Sequence, residues 1–319
     1  MPLRSNRTQE CRRRVTHRIA MTSDVHAVLQ SWSAPVGVNL ALCLTALLYL
    51  RGWFRLHSVF PNLISMWRLA AFSAGLVSLW IATASPLNVF DDVSLSVHML
   101  QHILLMAIAP PLVLLGAPAL PLLQGLPQSM ARGVLGPFLR RSWVKSVGHF
   151  VANPAICWLA ATLALMGWHV PAVFELALRW NWLHELEHAC FFGTGLLFWW
   201  PVVQPWPSTA RWPRWSIPLY LFCATLPCDA LSAFLAFCDR VVYSSYLSAP
   251  RPFNILPLQD QECAAALMWV CVTIIFLVAA VLVTMQILSP QRSHSEIDAS
   301  AGLHRISGQP LDPSKLEVI

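Results

Sequence analysis

The sequence predicts an all-α polytopic membrane protein of about seven transmembrane helices, N-terminus outside and C-terminus inside. Three observations lead there. Hydrophobic residues make up 56% of the chain and charged residues 11%, where a soluble domain carries roughly a quarter charged. The apolar residues come in blocks of about 20, the length a helix needs to cross hydrocarbon about 30 Å thick. Proline and tryptophan clusters punctuate the blocks, as they do near the ends of membrane helices.

The blocks fall at 35–50, 67–86, 95–115, 151–170, 182–203, 217–238 and 263–288. They form one membrane domain, 34–288, between an N-terminal tail, 1–33, and a polar C-terminal tail, 289–319, which reads as disordered and cytoplasmic. Met21 is a possible true start, which would leave residues 1–20 outside the protein. In the third block Pro110 and Pro111 should kink the helix, and Gly116, Ala117 and Pro118 should end it. Segment 123–149 is too polar to span and should lie along the surface. Trp199, Trp200, Trp206, Trp212 and Trp215 form an aromatic belt around the end of the fifth block.

Loop charge sets the orientation, because cytoplasmic loops collect Lys and Arg. One side receives Arg51, Arg55, Arg68, Arg132, Arg140, Arg141, Lys145, Arg211, Arg214 and the tail cations, the other only Arg179, Arg240 and Arg251. The Arg-rich opening, Arg4 to Arg18, argues the other way but lies far from the first span. The modest excess of basic residues thus reports topology rather than nucleic-acid binding. Nine cysteines include no Cys-x-x-Cys pair, and those inside the spans behave as small apolar residues. Cys238 and Cys263, near the ends of neighbouring spans, are the one pair placed for a disulfide.

Five histidines carry the functional signal: His98, His102, His169, His184 and His188. An ionisable side chain near mid-membrane costs about 3 kcal/mol, so such residues are rare unless used. Two pairs are spaced four apart, which puts both imidazoles of each pair on one helix face. Taking His98 as zero, His102 falls near 40°, Met106 near 80° and Met99 near 100° (~100° per residue). With the predicted orientation, all five histidines reach the same outer side. Imidazole with thioether suits copper, particularly Cu(I), while imidazole alone would also suit zinc. Glu187 or Asp260 could orient an imidazole from behind. The other histidines read as solvated or near the cytoplasmic face.

Other readings compete. A lone histidine in a span is more often a hydrogen-bonded packing residue than a ligand, and Met99 or Met106 alone more often packs. His184, Glu185 and His188 match His-Glu-x-x-His, in which Glu185 would be the base of a zinc protease and Asp229 a third ligand. A haem-binding membrane cytochrome with one axial histidine from each of two helices is a third reading, but histidines four apart on one helix cannot take opposite faces of a single haem, so the pairing suits small-ion chelation better.

The chain resembles the CtaG-type cytochrome c oxidase assembly factors, the caa(3)-type oxidase assembly family. The likeness runs from the second span to the seventh. It is carried by Val97, His98 and His102 leading to Ala109, Pro110 and Pro111, then by Leu115 to Pro118 and by Trp168, His169, Val170 and Pro171. His184 to His188 with Leu197 to Pro201, Tyr243 to Tyr246, and Asp260 and Gln261 ahead of Met268 and Trp269 complete it. The resemblance implies a non-enzymatic protein of the bacterial cytoplasmic (inner) membrane. It would assist assembly of a haem–copper oxidase, with oxidase subunits and a periplasmic copper donor as partners. Carried over by position, its motif residues are His98, His102, His169, His184, His188, Asp260 and Gln261. Ala265 departs from an expected glycine, so helix packing there should be altered; Glu185 is incidental to the motif. A metal-free scaffold is the alternative implied by the same likeness.

Overall fold

A computed structural model describes residues 36–58, 65–130, 133, 136–205, 212–251 and 254–289. Both predicted tails, the Met21 question and Trp206 lie outside the described residues. Among the described residues the chain is helical, with no strand. The main helices are α1 (Val36–His57), α2 (Met66–Ala84), α3 (Leu95–Leu115), α4 (Ala119–Gly125), α5 (Pro154–Trp168), α6 (Pro171–Arg179), α7 (Asn181–Val203), α8 (Ser216–Phe237) and α9 (Pro257–Leu288).

Five of these, α1, α2, α3, α8 and α9, are long and apolar enough to cross a membrane. The α5–α6 pair makes a sixth if taken as one broken span. The fifth block, 182–203, differs from a uniform apolar span. Helix α7 has 23 residues but carries His184, Glu185, Glu187 and His188 in its first turns. It is not among the helices that pass on composition.

Helix α3 is the axis of the bundle. Within its apolar window 61% of residues are buried, against 17–22% in the other four, and it packs against α2, α7 and α9. The expected proline kink takes the form of a π turn, Leu104–Ile108, directly ahead of Pro110 and Pro111. Proline lacks the N–H that would bond the carbonyl four residues back, so Pro110 leaves the Met106 carbonyl free. Trp199 Nε1 of α7 donates to that carbonyl at 3.1 Å. At the same level α7 presents Gly195, where a Cβ would sit 2.9 Å from the Met106 oxygen and 2.8 Å from Pro110 Cγ. Only glycine allows this backbone approach. Gly52 of α1 and Gly125 of α4 meet each other's helices in the same way.

The fourth block is broken rather than straight. Asn153 caps α5 by accepting from Ala155 N at 2.9 Å, with Pro154 in the first turn. Pro171 disfavours the helical conformation for Val170, which is extended at ψ 123. The chain turns by 74° between α5 and α6, and His169 sits at the corner. Helix α3 ends where expected: Gly116 caps it and Ala117 takes φ 46. The short helix Ser142–Val151 lies outside the bundle, with Trp143 and Phe150 exposed. Cys238 and Cys263 are free thiols, not a disulfide. Ala265 is accommodated, fully buried with Leu95, Met99 and Tyr243.

Candidate metal centre

The bend at His169, the start of α3 and the start of α7 converge on one place. Helix α3 delivers His98 and His102 with ring centroids 4.4 Å apart, and α7 delivers His184 and His188 at 4.2 Å. Across the helices His98 lies 5.3 Å from His184, His102 lies 6.1 Å from His188, and His102 lies 5.7 Å from His169. All five imidazoles, from three separate stretches of chain, occupy one cluster. Phe174 of α6 packs against His98 at 4.8 Å, and Phe191 of α7 against His102 at 4.3 Å. Aromatic rings therefore wall the cluster on two sides.

Two carboxylates enter it. Glu187, fully buried, places Oε1 3.4 Å from His102 Nε2 and 4.0 Å from His98 Nε2. Asp91, from the segment between α2 and α3, places Oδ2 3.7 Å from His184 Nε2. Two groups of potential ligand atoms result, His98 with His102 and Glu187, and Asp91 with His98 and His184, each within 4.8 Å of one another. Two ligands of one tetrahedral ion, at bonds of about 2.1 Å, stand roughly 3.4 Å apart. The carboxylate–imidazole separations of 3.4, 4.0 and 3.7 Å lie at that spacing or a few tenths of an ångström beyond it.

Outside His169, nine of the cluster's polar atoms lack partners. Asp91 Oδ2, both nitrogens of His98, both of His102, Nε2 of His184 and of His188, and both oxygens of Glu187 are buried without a hydrogen bond. An unsatisfied buried polar group costs about 1–3 kcal/mol, so this concentration needs something to bridge it. Burial, then the neighbouring charge of Asp92, pushes Asp91 up to about 8. A cleft lined by Asn88, Asp91, Asp92, Asn181, His184 and His188 opens onto the cluster and supplies an access route.

The remaining expected residues divide. Met99 Sδ lies 3.3 Å from His169 Nε2. Met106 lines an apolar cavity beneath, shared with His102 and His169. Glu187 was expected behind the imidazoles and instead faces them directly. Asp260 and Gln261 touch no imidazole. Asp260 caps α3, accepting from Leu95 N at 2.6 Å, Ser96 N at 3.3 Å and Ser94 Oγ at 3.0 Å. Gln261 fastens α9 to the 235–242 segment, donating to the Leu235 carbonyl and accepting from Val242 N. Tyr243 donates to the His169 carbonyl at 3.1 Å and Tyr246 to the Asp91 carbonyl at 2.8 Å, so that segment braces two site residues. Asp91 was not singled out as a ligand from the sequence; its signal was an acidic pair just ahead of the first His pair. Glu185 is exposed, and neither it nor Asp229 joins the ligand groups found among the described residues.

A helical bundle with helices apolar enough for a bilayer, around a buried histidine–carboxylate cluster, defines the class. Residues 47–289 match the model of the cytochrome c oxidase caa3 assembly factor family, and the chain belongs to that family. A protein of Mycobacterium leprae described only as uncharacterised is 25% identical over 69% of this chain and 34% of its own length. Uncharacterised proteins of Mycobacterium bovis and Mycobacterium tuberculosis are each 25% identical over 73% of this chain and 36% of theirs. The chain thus spans about a third of these relatives. No solved structure matches it.

Proposed function

We propose that this protein is a non-enzymatic, multi-pass assembly factor of the bacterial inner membrane that binds copper as cargo and aids its insertion into a haem–copper oxidase. His98, His102, His184, His188, Glu187 and Asp91 would hold the ion at an outward-facing site between α3 and α7. One observation carries the reading: nine buried nitrogen and oxygen atoms of those six side chains converge with no hydrogen-bond partner. A cation can take a lone pair from one nitrogen of an imidazole and from a carboxylate oxygen in each three-ligand group, whereas pairing the groups with each other would require hydrogen bonds that the 3.4–4.0 Å separations do not make. Imidazoles with carboxylates accept copper or zinc, and membership of an oxidase assembly family favours copper. Seven spans, counting α7 and the bent α5–α6 pair, with the N-terminus outside, put the cleft at Asp91 and His184 on the outer face, open to a periplasmic donor.

The residues act by holding and releasing. Imidazoles and carboxylates bind an ion without the closed four-thiolate cage that would retain it. The aromatic walls fix the rings. The test is oxidase activity in a strain lacking the gene, complemented with wild type or with His98→Ala/His184→Ala. Wild type should restore activity and the variant should do so only with added copper. Equal rescue by both, without added copper, would leave a metal-free scaffold as the function.

A further inference from the structure

We propose that Met99 and His169 form a second, inner site for a cuprous ion, separate from the outer imidazole–carboxylate cluster and joined to it through His102. This deepens the metal reading above and rests on it.

The hydrogen bonding of His169 fixes its tautomer. Nδ1 lies 2.7 Å from the Leu165 carbonyl, and a carbonyl can only accept, so Nδ1 carries the proton. In the neutral ring Nε2 then bears a lone pair. That lone pair faces Met99 Sδ at 3.3 Å, and a thioether has no proton to give. Two donor atoms therefore confront each other, in side chains 4% and 0% exposed, with no hydrogen between them. Protonating Nε2 would leave an imidazolium facing apolar walls, which is costly. A soft cation resolves the contact without that charge placement.

The spacing agrees with an ion of three or four ligands, two of them already in place. Bonds of about 2.0 Å to nitrogen and about 2.3 Å to sulfur across that gap subtend roughly 100°, near the tetrahedral value. On the open side lies the apolar cavity, where Met106, Cys228 and Met268 bring further sulfur and no carboxylate lines the wall. Thioether and thiol donors select Cu(I), and without a nearby anion a single positive charge is the least costly to hold. The outer cluster, with Asp91 and Glu187, has the opposite chemistry. His102 borders both, with its ring 4.4 Å from His98 and 5.7 Å from His169, and it lines the cavity. Copper would be cuprous at both stations, so passage inward exchanges ligands and transfers no electron.

The test uses the full chain in detergent, loaded with Cu(I) under anaerobic reducing conditions, and X-ray absorption at the copper edge. Wild type should show a sulfur scatterer at about 2.3 Å. Met99→Leu, a swap that nearly conserves volume, should lose it and weaken Cu(I) at least tenfold in competition with a cuprous chelator, leaving Zn(II) binding unchanged. His98→Ala/His184→Ala should do the reverse, losing Zn(II) and keeping sulfur-bound Cu(I). A wild-type shell of nitrogen and oxygen alone, which needs no variant to fold, would overturn the inner site while leaving the outer one standing. Sulfur-bound Cu(I) with no Zn(II) bound in wild type would support the inner site and count against the outer cluster. No Cu(I) in any protein overturns both.

Discussion

Glu187→Gln should raise the stability of the metal-free protein while lowering its affinity for metal, a pairing that a merely structural glutamate would not produce. The carboxylate is fully buried, both oxygens are unpartnered, and the nearest groups are imidazole nitrogens at 3.4 and 4.0 Å. Leaving a buried polar group unsatisfied costs about 1–3 kcal/mol. The amide keeps the shape and adds donors that can reach a ring nitrogen, each hydrogen bond contributing about 0.5–1.5 kcal/mol. A metal-free gain of about 1 kcal/mol is expected. For metal the sign reverses. Loss of groups that merely support a ligand already costs about 10–100-fold, so loss of the anionic ligand itself should cost at least ~100-fold, or about 2.8 kcal/mol. Thermal unfolding in detergent with chelator reads the first quantity, and a competition titration with Cu(I) or Zn(II) reads the second. A variant less stable without metal, yet equal to wild type in affinity, would refute the reasoning.

Other perturbations separate the bracing from the site. Asp260→Ala should lower the unfolding midpoint, since losing a helix-capping side chain costs about 0.5–2 kcal/mol, while metal stoichiometry stays at the wild-type value. Gly195→Ala should destabilise by about 1–3 kcal/mol, because the new methyl meets backbone at Met106; thermal unfolding checks it. Asp91 has a folded value near 8 against an ordinary 3.8, so the folded state binds the extra proton between those limits. Metal-free stability should therefore be full below about 3.8 and fall as pH rises through about 8. Asp91→Asn should flatten that dependence in pH-resolved unfolding.

The helices were legible because their apolar blocks are long, and so were the imidazoles, since spacing alone puts each pair on one face. Helix geometry alone does not choose between Glu185 and Glu187. On a regular helix both flank the His184–His188 stripe by about 80°, on opposite sides, and only the packing of α7 against α3 decides which is buried. Met106 was read on a regular wheel, but the π turn at Leu104–Ile108 resets the register beyond His102 and turns this thioether toward the apolar cavity. Asp91 joins His184 across more than 90 residues of chain, a contact no local pattern encodes. Asp260 and Gln261 were visible as motif residues, but sequence does not distinguish a carboxylate that caps α3 from one that orients a ligand. The 74° bend at His169 follows from Pro171, yet a block of apolar residues reads the same whether straight or broken.

The decisive measurement is copper content per chain, by elemental analysis, of full-length protein purified from copper-supplemented cells beside His98→Ala/His102→Ala prepared identically. At least one ion per wild-type chain, and a clear loss in the variant, is the expected result. Equal copper in both, or none in wild type, would contradict a metal centre between α3 and α7.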